Sequence, residues 1–144
     1  MTRCAAEPAA SCDSEVKPCH PWYERLIHRN LACMWSNFRE TGADRLILCR
    51  VLEARSLLRY VVEAVPGADI LVIRLRARLE VLQARIRSRE AGRDPGWFLG
   101  TAAYLAPVLE QARVEDHVVD NEDRPIAEVA EEVLRLAGWL GAAA

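Results

Sequence analysis

Arginine is the residue in this chain best able to do chemistry, and it is unevenly placed. Residues 74–93 hold seven arginines against Glu80 and Glu90, while residues 110–132 hold nine acids against Arg113 and Arg124. Arg85 and Arg89 stand four apart, so a helix puts both guanidinium groups on one face. They lead into Glu90-Ala91-Gly92-Arg93-Asp94-Pro95-Gly96, a turn-rich break that carries Arg93. A local cluster of fixed positive charge suits a small anion. The formal net charge of −2 speaks against a long polyanion, so nucleic acid is not expected as a partner. A solvated helix face, with Arg87 beside Glu80 and Glu90, accounts for the same arginines without any ligand. No Ser/His/Asp triad, metal cluster or dinucleotide fingerprint stands elsewhere in the chain.

The elements that must position these groups alternate between helix and strand. Ile27, Leu31, Met34, Trp35 and Phe38 fall at helical spacing, which predicts an amphipathic helix over 22–41, ended by Gly42. Leu46-Ile47-Leu48-Cys49 reads as a short buried strand, and residues 53–65 as a second helix stopped by Pro66-Gly67. Residues 69–75 form the strongest strand signal, a nearly continuous Ile, Leu and Val run of the kind found inside a parallel sheet. Leu79, Leu82 and Ile86 mark a third helix, and Phe98, Ala102, Leu105, Leu109 and Ala112 a fourth that contains Pro107. His117-Val118-Val119-Asp120 is a further strand. After Asp123 to Pro125, the residues Ile126, Val129, Val133, Ala137 and Leu140 share one face of a last helix. The order predicts an α/β domain over 21–141 with a short parallel sheet flanked by helices.

Residues 1–20 mix Ala, Pro, Ser and Cys without periodicity and read as a loose tail. The tail lacks the apolar core of a secretory signal, and no run in the chain approaches the ~20 apolar residues of a membrane span. Five cysteines without framework spacing point to a reducing cytoplasm. Cys12, Cys19 and His20 lack a fourth ligand at sensible spacing, so no metal is expected. Trp35 and Trp139 read as core. His28 and His117 read as ordinary half-buried histidines.

The segment Leu75-Arg76-Ala77 with Leu82-Gln83-Ala84-Arg85-Ile86-Arg87-Ser88-Arg89 resembles the strand, bend and arginine-bearing helix that lead into the lid of small-molecule P-loop kinases. These are the adenylylsulfate, shikimate, gluconate and nucleotide kinases. Val118-Val119-Asp120-Asn121 with Arg124-Pro125 is similar to their last strand and adenine-side loop, and Arg29-Asn30-Leu31 and Gly42-Ala43 to their earlier elements. The resemblance spans most of residues 22–140. It implies that Arg85, Arg89, Asn121, Arg124 and Pro125 are placed around a nucleotide, with ATP and Mg²⁺ as the relatives' cofactors. It further implies that Arg89 and Arg93 serve a lid over the transferred phosphoryl group, that Trp97 packs that lid, and that Arg55, and more weakly Arg29 and Arg25, meet the acceptor. A capped helix start explains Asp120 to Pro125 equally well.

One part of the pattern is missing. A P-loop needs a glycine-rich turn ending in Gly-Lys-Ser/Thr, whose backbone N–H groups and lysine cradle the phosphates. The single lysine, Lys17, lies between Val16 and Pro18, and no glycine precedes Gly42. The expectation is an incomplete P-loop-kinase-like three-layer fold, N-terminally truncated or degenerate and inactive as it stands. The alternative is a non-catalytic interaction module using a sheet edge or the arginine face, with self-association as one outcome. In the kinases resembled, the loop's strand lies between the counterparts of residues 46–49 and 70–75. Without it those strands either pair directly, giving about three strands, or leave a gap whose unmet backbone groups each cost about 1–3 kcal/mol where buried.

Overall fold

The computed structural model describes residues 21–140. The loose-tail reading of residues 1–20, and the Cys12, Cys19 and His20 question, lie outside the described residues. The chain is mixed helix and strand: α1 (Pro21–Glu40), α2 (Leu58–Ala64), β1 (Ile73–Arg76), α3 (Leu79–Arg89), α4 (Gly96–Ala112), β2 (His117–Asp120) and α5 (Ile126–Leu136), with a 3₁₀ turn over Arg55–Leu57 before α2. The two strands pair in parallel, Ile73 opposite His117 and Arg76 opposite Asp120. Parallel strands need a long crossover, and α3 and α4, packed on each other, supply it.

Among the described residues, the expected sheet of about three strands is a sheet of two. Leu46-Ile47-Leu48-Cys49 joins no ladder among them and does not pair with β1. The strand foreseen over 69–75 is shorter and shifted, beginning at Ile73, because β2 offers partners only along that length.

The main core lies between α1 and α2, where Leu31, Trp35, Val61, Ala64 and Val65 are buried and Leu46, Ala68 and Ile70 pack against them. Pro21 opens α1, where its missing N–H is no loss. The buried face of α1 runs Glu24, His28, Leu31, Trp35, whereas Met34 (52% exposed) and Phe38 (43%) lie off it. The expected stripe was therefore rotated, because two polar residues take the first two turns of the buried face. Gly42, at φ +89, turns the chain away after α1 in the left-handed region that glycine tolerates. A second apolar contact joins α5 to β2: Val119 is wholly buried and Val129 is 5% exposed. Ile126, on the expected face of α5, is 85% exposed, since it stands in the first turn beyond the reach of β2. Pro107 sits inside α4 without ending it.

Candidate functional site

Side chains alternate across a strand, so Arg74 and Arg76 share one face of β1, and Arg78 continues the row past its end. β2 matches that row in register. The Arg76 guanidinium donates from Nε to Asp120 Oδ1 at 2.8 Å and from Nη2 to Asp120 Oδ2 at 3.1 Å. Arg78 gives its Nε–H to Glu122 Oε2 at 2.6 Å, and its backbone N–H to the other oxygen of the same carboxylate. Arg74 reaches Glu110 on α4 at 2.5 Å and Glu115 at 3.3 Å. One residue pair further back, the Val72 N–H donates to Asp116 Oδ2 at 2.8 Å. Arg74, Arg76, Arg78, Glu110, Asp120 and Glu122 line a shallow cleft of about 540 Å³ with Ala77, Ala106 and Pro107.

The charges respond to this pairing. Hydrogen bonding from Arg76 holds the Asp120 carboxyl below its ordinary range, the Arg78 backbone N–H and then its side chain do the same for Glu122, and Arg74 does so for Glu110. In return, Asp120 and Glu122 raise the guanidinium groups of Arg76 and Arg78. The cleft is thus a zipped row of ion pairs in which every arginine already faces a carboxylate.

The residues expected to surround a nucleotide gather beside this row without lining it. Arg85, on α3, donates from Nη2 to the Asn121 carbonyl oxygen at 2.6 Å. Arg124 folds back to the Asp120 carbonyl oxygen at 3.2 Å and pairs with Glu132 at 2.7 Å. Pro125 precedes α5, and Asp123 beside it takes φ +50. Arg85, Asn121, Arg124 and Pro125 therefore meet at the loop after β2. Arg89 is held at the α3–α4 junction, its Nε donating to Glu90 at 2.8 Å and its guanidinium 5.0 Å from the Phe98 ring centre. Arg93 is exposed in the following turn, and Trp97 is 56% exposed with its edge against Phe98. Arg29 and Arg55 are exposed and stand away from the cleft, on α1 and the 3₁₀ turn.

Two groups of residues escaped sequence reasoning. The first is the cleft row itself, whose signal was available: Arg74, Arg76, Arg78 and Asp116, Asp120, Glu122 all recur at even spacing, and a parallel pairing aligns them. The second is a buried polar cluster behind α1. Glu24 (3% exposed) forms an ion pair with Arg50, and His28 (6%) donates from Nδ1 to the Glu24 carbonyl oxygen at 2.6 Å. The Tyr60 ring stacks on His28, centres 5.4 Å apart. Among the described residues, His28 Nε2 and Arg50 Nε have no hydrogen-bond partner. His28 is buried where a half-buried side chain was expected, while His117 is exposed. Trp139, expected as core, is half-buried and carries Arg45 over its ring at 5.4 Å.

Among the described residues, no three His, Cys, Asp or Glu side chains are grouped to hold a metal. No helix among them is long and apolar enough to cross a membrane. Comparison with protein-family models, with curated proteins and with solved structures finds no match to this chain.

Proposed function

We propose that this chain is a P-loop-kinase-like protein that transfers no phosphoryl group and acts as a non-catalytic interaction module. Phosphoryl transfer needs positive charge that is free to follow the moving phosphoryl group. The observation that carries the reading is the zipped row: Arg74, Arg76 and Arg78 are each committed to carboxylates, so a phosphate would have to displace Glu110, Asp120 or Glu122. The donor set therefore does not fit ATP and Mg²⁺. Arg85 and Arg124 each spend a donor on a backbone carbonyl of the same loop, and Arg89 spends one on Glu90. The lone lysine, Lys17, has no Gly-Lys-Ser/Thr context.

Kinase-like ancestry is supported by the meeting of Arg85, Asn121, Arg124 and Pro125 after the last strand, as the resemblance implies. An interaction role is supported by exposed apolar side chains, with Ile47 66%, Val51 45% and Leu75 53% exposed. Calorimetric titration with ATP and Mg²⁺ tests the reading. No binding at micromolar strength is expected, and binding at that strength refutes it.

A further inference from the structure

α3 and α4 pack on each other, and residues 90–95 turn the chain from one into the other. Gly92, at φ +85, lies in the left-handed region that glycine tolerates. The Asp94 carboxylate then meets the start of α4 by accepting the Gly96 N–H at 2.8 Å. This turn gathers the last side chains of α3 and the first of α4. The Arg89 guanidinium lies 5.0 Å from the Phe98 ring centre, and the Trp97 ring meets Phe98 edge to face, centres 5.0 Å apart. Arg93 stands exposed in the turn between them.

The rings and the charges are both open to solvent. Trp97 is 56% and Phe98 36% exposed, and the Arg89 side chain stays 61% exposed despite its contact with Glu90. Residues 85–98 carry four arginines against Glu90 and Asp94, and no charged side chain follows in α4 before Glu110. The patch therefore joins two exposed aromatic rings to an excess of positive charge.

We propose that the turn between α3 and α4 docks on an anionic lipid surface, with Trp97 and Phe98 entering the boundary between headgroups and acyl chains and Arg89 and Arg93 meeting the headgroup phosphates. An indole suits that boundary, because its body is apolar and its N–H is polar. Arginines beside it find negative charge in the same plane. Exposed area argues against a protein as occupant. A fully buried aromatic hides about 150–250 Å², so these two, exposed as they are, offer roughly 200 Å². A stable protein interface takes about 800 Å² from each partner. A bilayer asks for no matching shape, and its hold grows with apolar insertion plus charge. The contact is with the surface alone, since no helix among the described residues is long and apolar enough to cross a membrane. The proposal rests on the interaction-module reading above, and an ATP–Mg²⁺ titration of the same sample reports on that reading separately.

The probe is a vesicle of phosphatidylcholine with about one-third phosphatidylserine, titrated into the full chain and scored by flotation. Association is expected with these vesicles and not with phosphatidylcholine alone, a comparison that needs no variant. Arg89→Gln with Arg93→Gln should weaken it about fivefold per arginine. Trp97→Ala should weaken it about tenfold or more. All these side chains are exposed, so the variants should keep the far-UV circular dichroism of the parent chain. Arg113→Gln removes the same charge at the other end of α4, about 25 Å away. That exceeds the screening length of about 8 Å at physiological salt, so binding should be unchanged. No association with either vesicle, equal association with both, or unchanged affinity in Trp97→Ala or in the arginine pair overturns the proposal. So does a loss as large in Arg113→Gln. Self-association in sedimentation without lipid, abolished by Trp97→Ala, would assign the patch to a protein interface and overturn it too.

Discussion

Arg76 and Asp120 face each other across the only two paired strands among the described residues, and the guanidinium grips both carboxylate oxygens, at 2.8 and 3.1 Å. A bidentate grip of this kind uses the same planar donor fork that would otherwise hold a phosphate. The pair sits at the carboxyl end of parallel strands, the place where open α/β sheets bind ligands. In this chain that place is occupied by the protein's own charges.

If the carboxylates close the cleft to anions, their removal must open it. A variant carrying Glu110→Gln, Asp120→Asn and Glu122→Gln frees Arg74, Arg76 and Arg78 of their charged partners. We expect it to bind inorganic phosphate more tightly than the parent chain at low ionic strength, with the gain lost as salt is raised. Isothermal calorimetry at two salt concentrations checks this, and equal affinity in variant and parent argues against charge neutralisation as the barrier.

The same row sets an acid response. Glu110, Asp120 and Glu122 have folded-state carboxyl groups held below their ordinary range by Arg74, Arg76 and Arg78. Their contribution is fully present above the ordinary carboxylate range and is lost as pH falls through the depressed folded values. Glu110 and Asp120 are solvent-exposed and Glu122 is half-buried at the edge of the same open cleft, so the effect is screened and modest. Thermal unfolding should hold steady from neutral pH down to that range and then drop. The triple variant should show a shallower acid slope, and parallel slopes would contradict the assignment.

The buried pair behind α1 carries a larger consequence. Glu24→Ala leaves the Arg50 guanidinium, 16% exposed, without its countercharge. Breaking a buried pair from one side costs about 3–5 kcal/mol. Urea unfolding should register a loss of that order, and the double variant Glu24→Ala with Arg50→Met should recover part of it. A loss under about 1 kcal/mol, the size of a surface pair, would show that Glu24 and Arg50 do not act as a buried pair.

Much of the architecture was legible because local patterns and tertiary contacts agree. The bounds of α1, α3 and α4 follow from Gly42, from Leu79-Leu82-Ile86 and from the Gly/Pro break, and β2 follows from His117 to Asp120. Leu46-Ile47-Leu48-Cys49 was misjudged for a physical reason. It has the composition of a buried strand, but pairing depends on a neighbour, and composition does not say whether one is there. Arg85, Asn121 and Arg124, named from the sequence, meet at the loop after β2. The cleft beside them was hidden, because counting arginines and acids as separate blocks conceals that the parallel register zips one onto the other. Glu24 and His28 were passed over because helical periodicity was sought among apolar residues, and these two extend the buried face with polar ones.

The central claim is that this chain has no working nucleotide site. The direct measurement is calorimetric titration of the full chain with ATP and excess Mg²⁺ at physiological ionic strength. No binding heat up to millimolar nucleotide is the result expected from a row of arginines already paired with Glu110, Asp120 and Glu122. Saturable binding at micromolar strength, reduced by Arg85→Ala and Arg124→Ala, would contradict it.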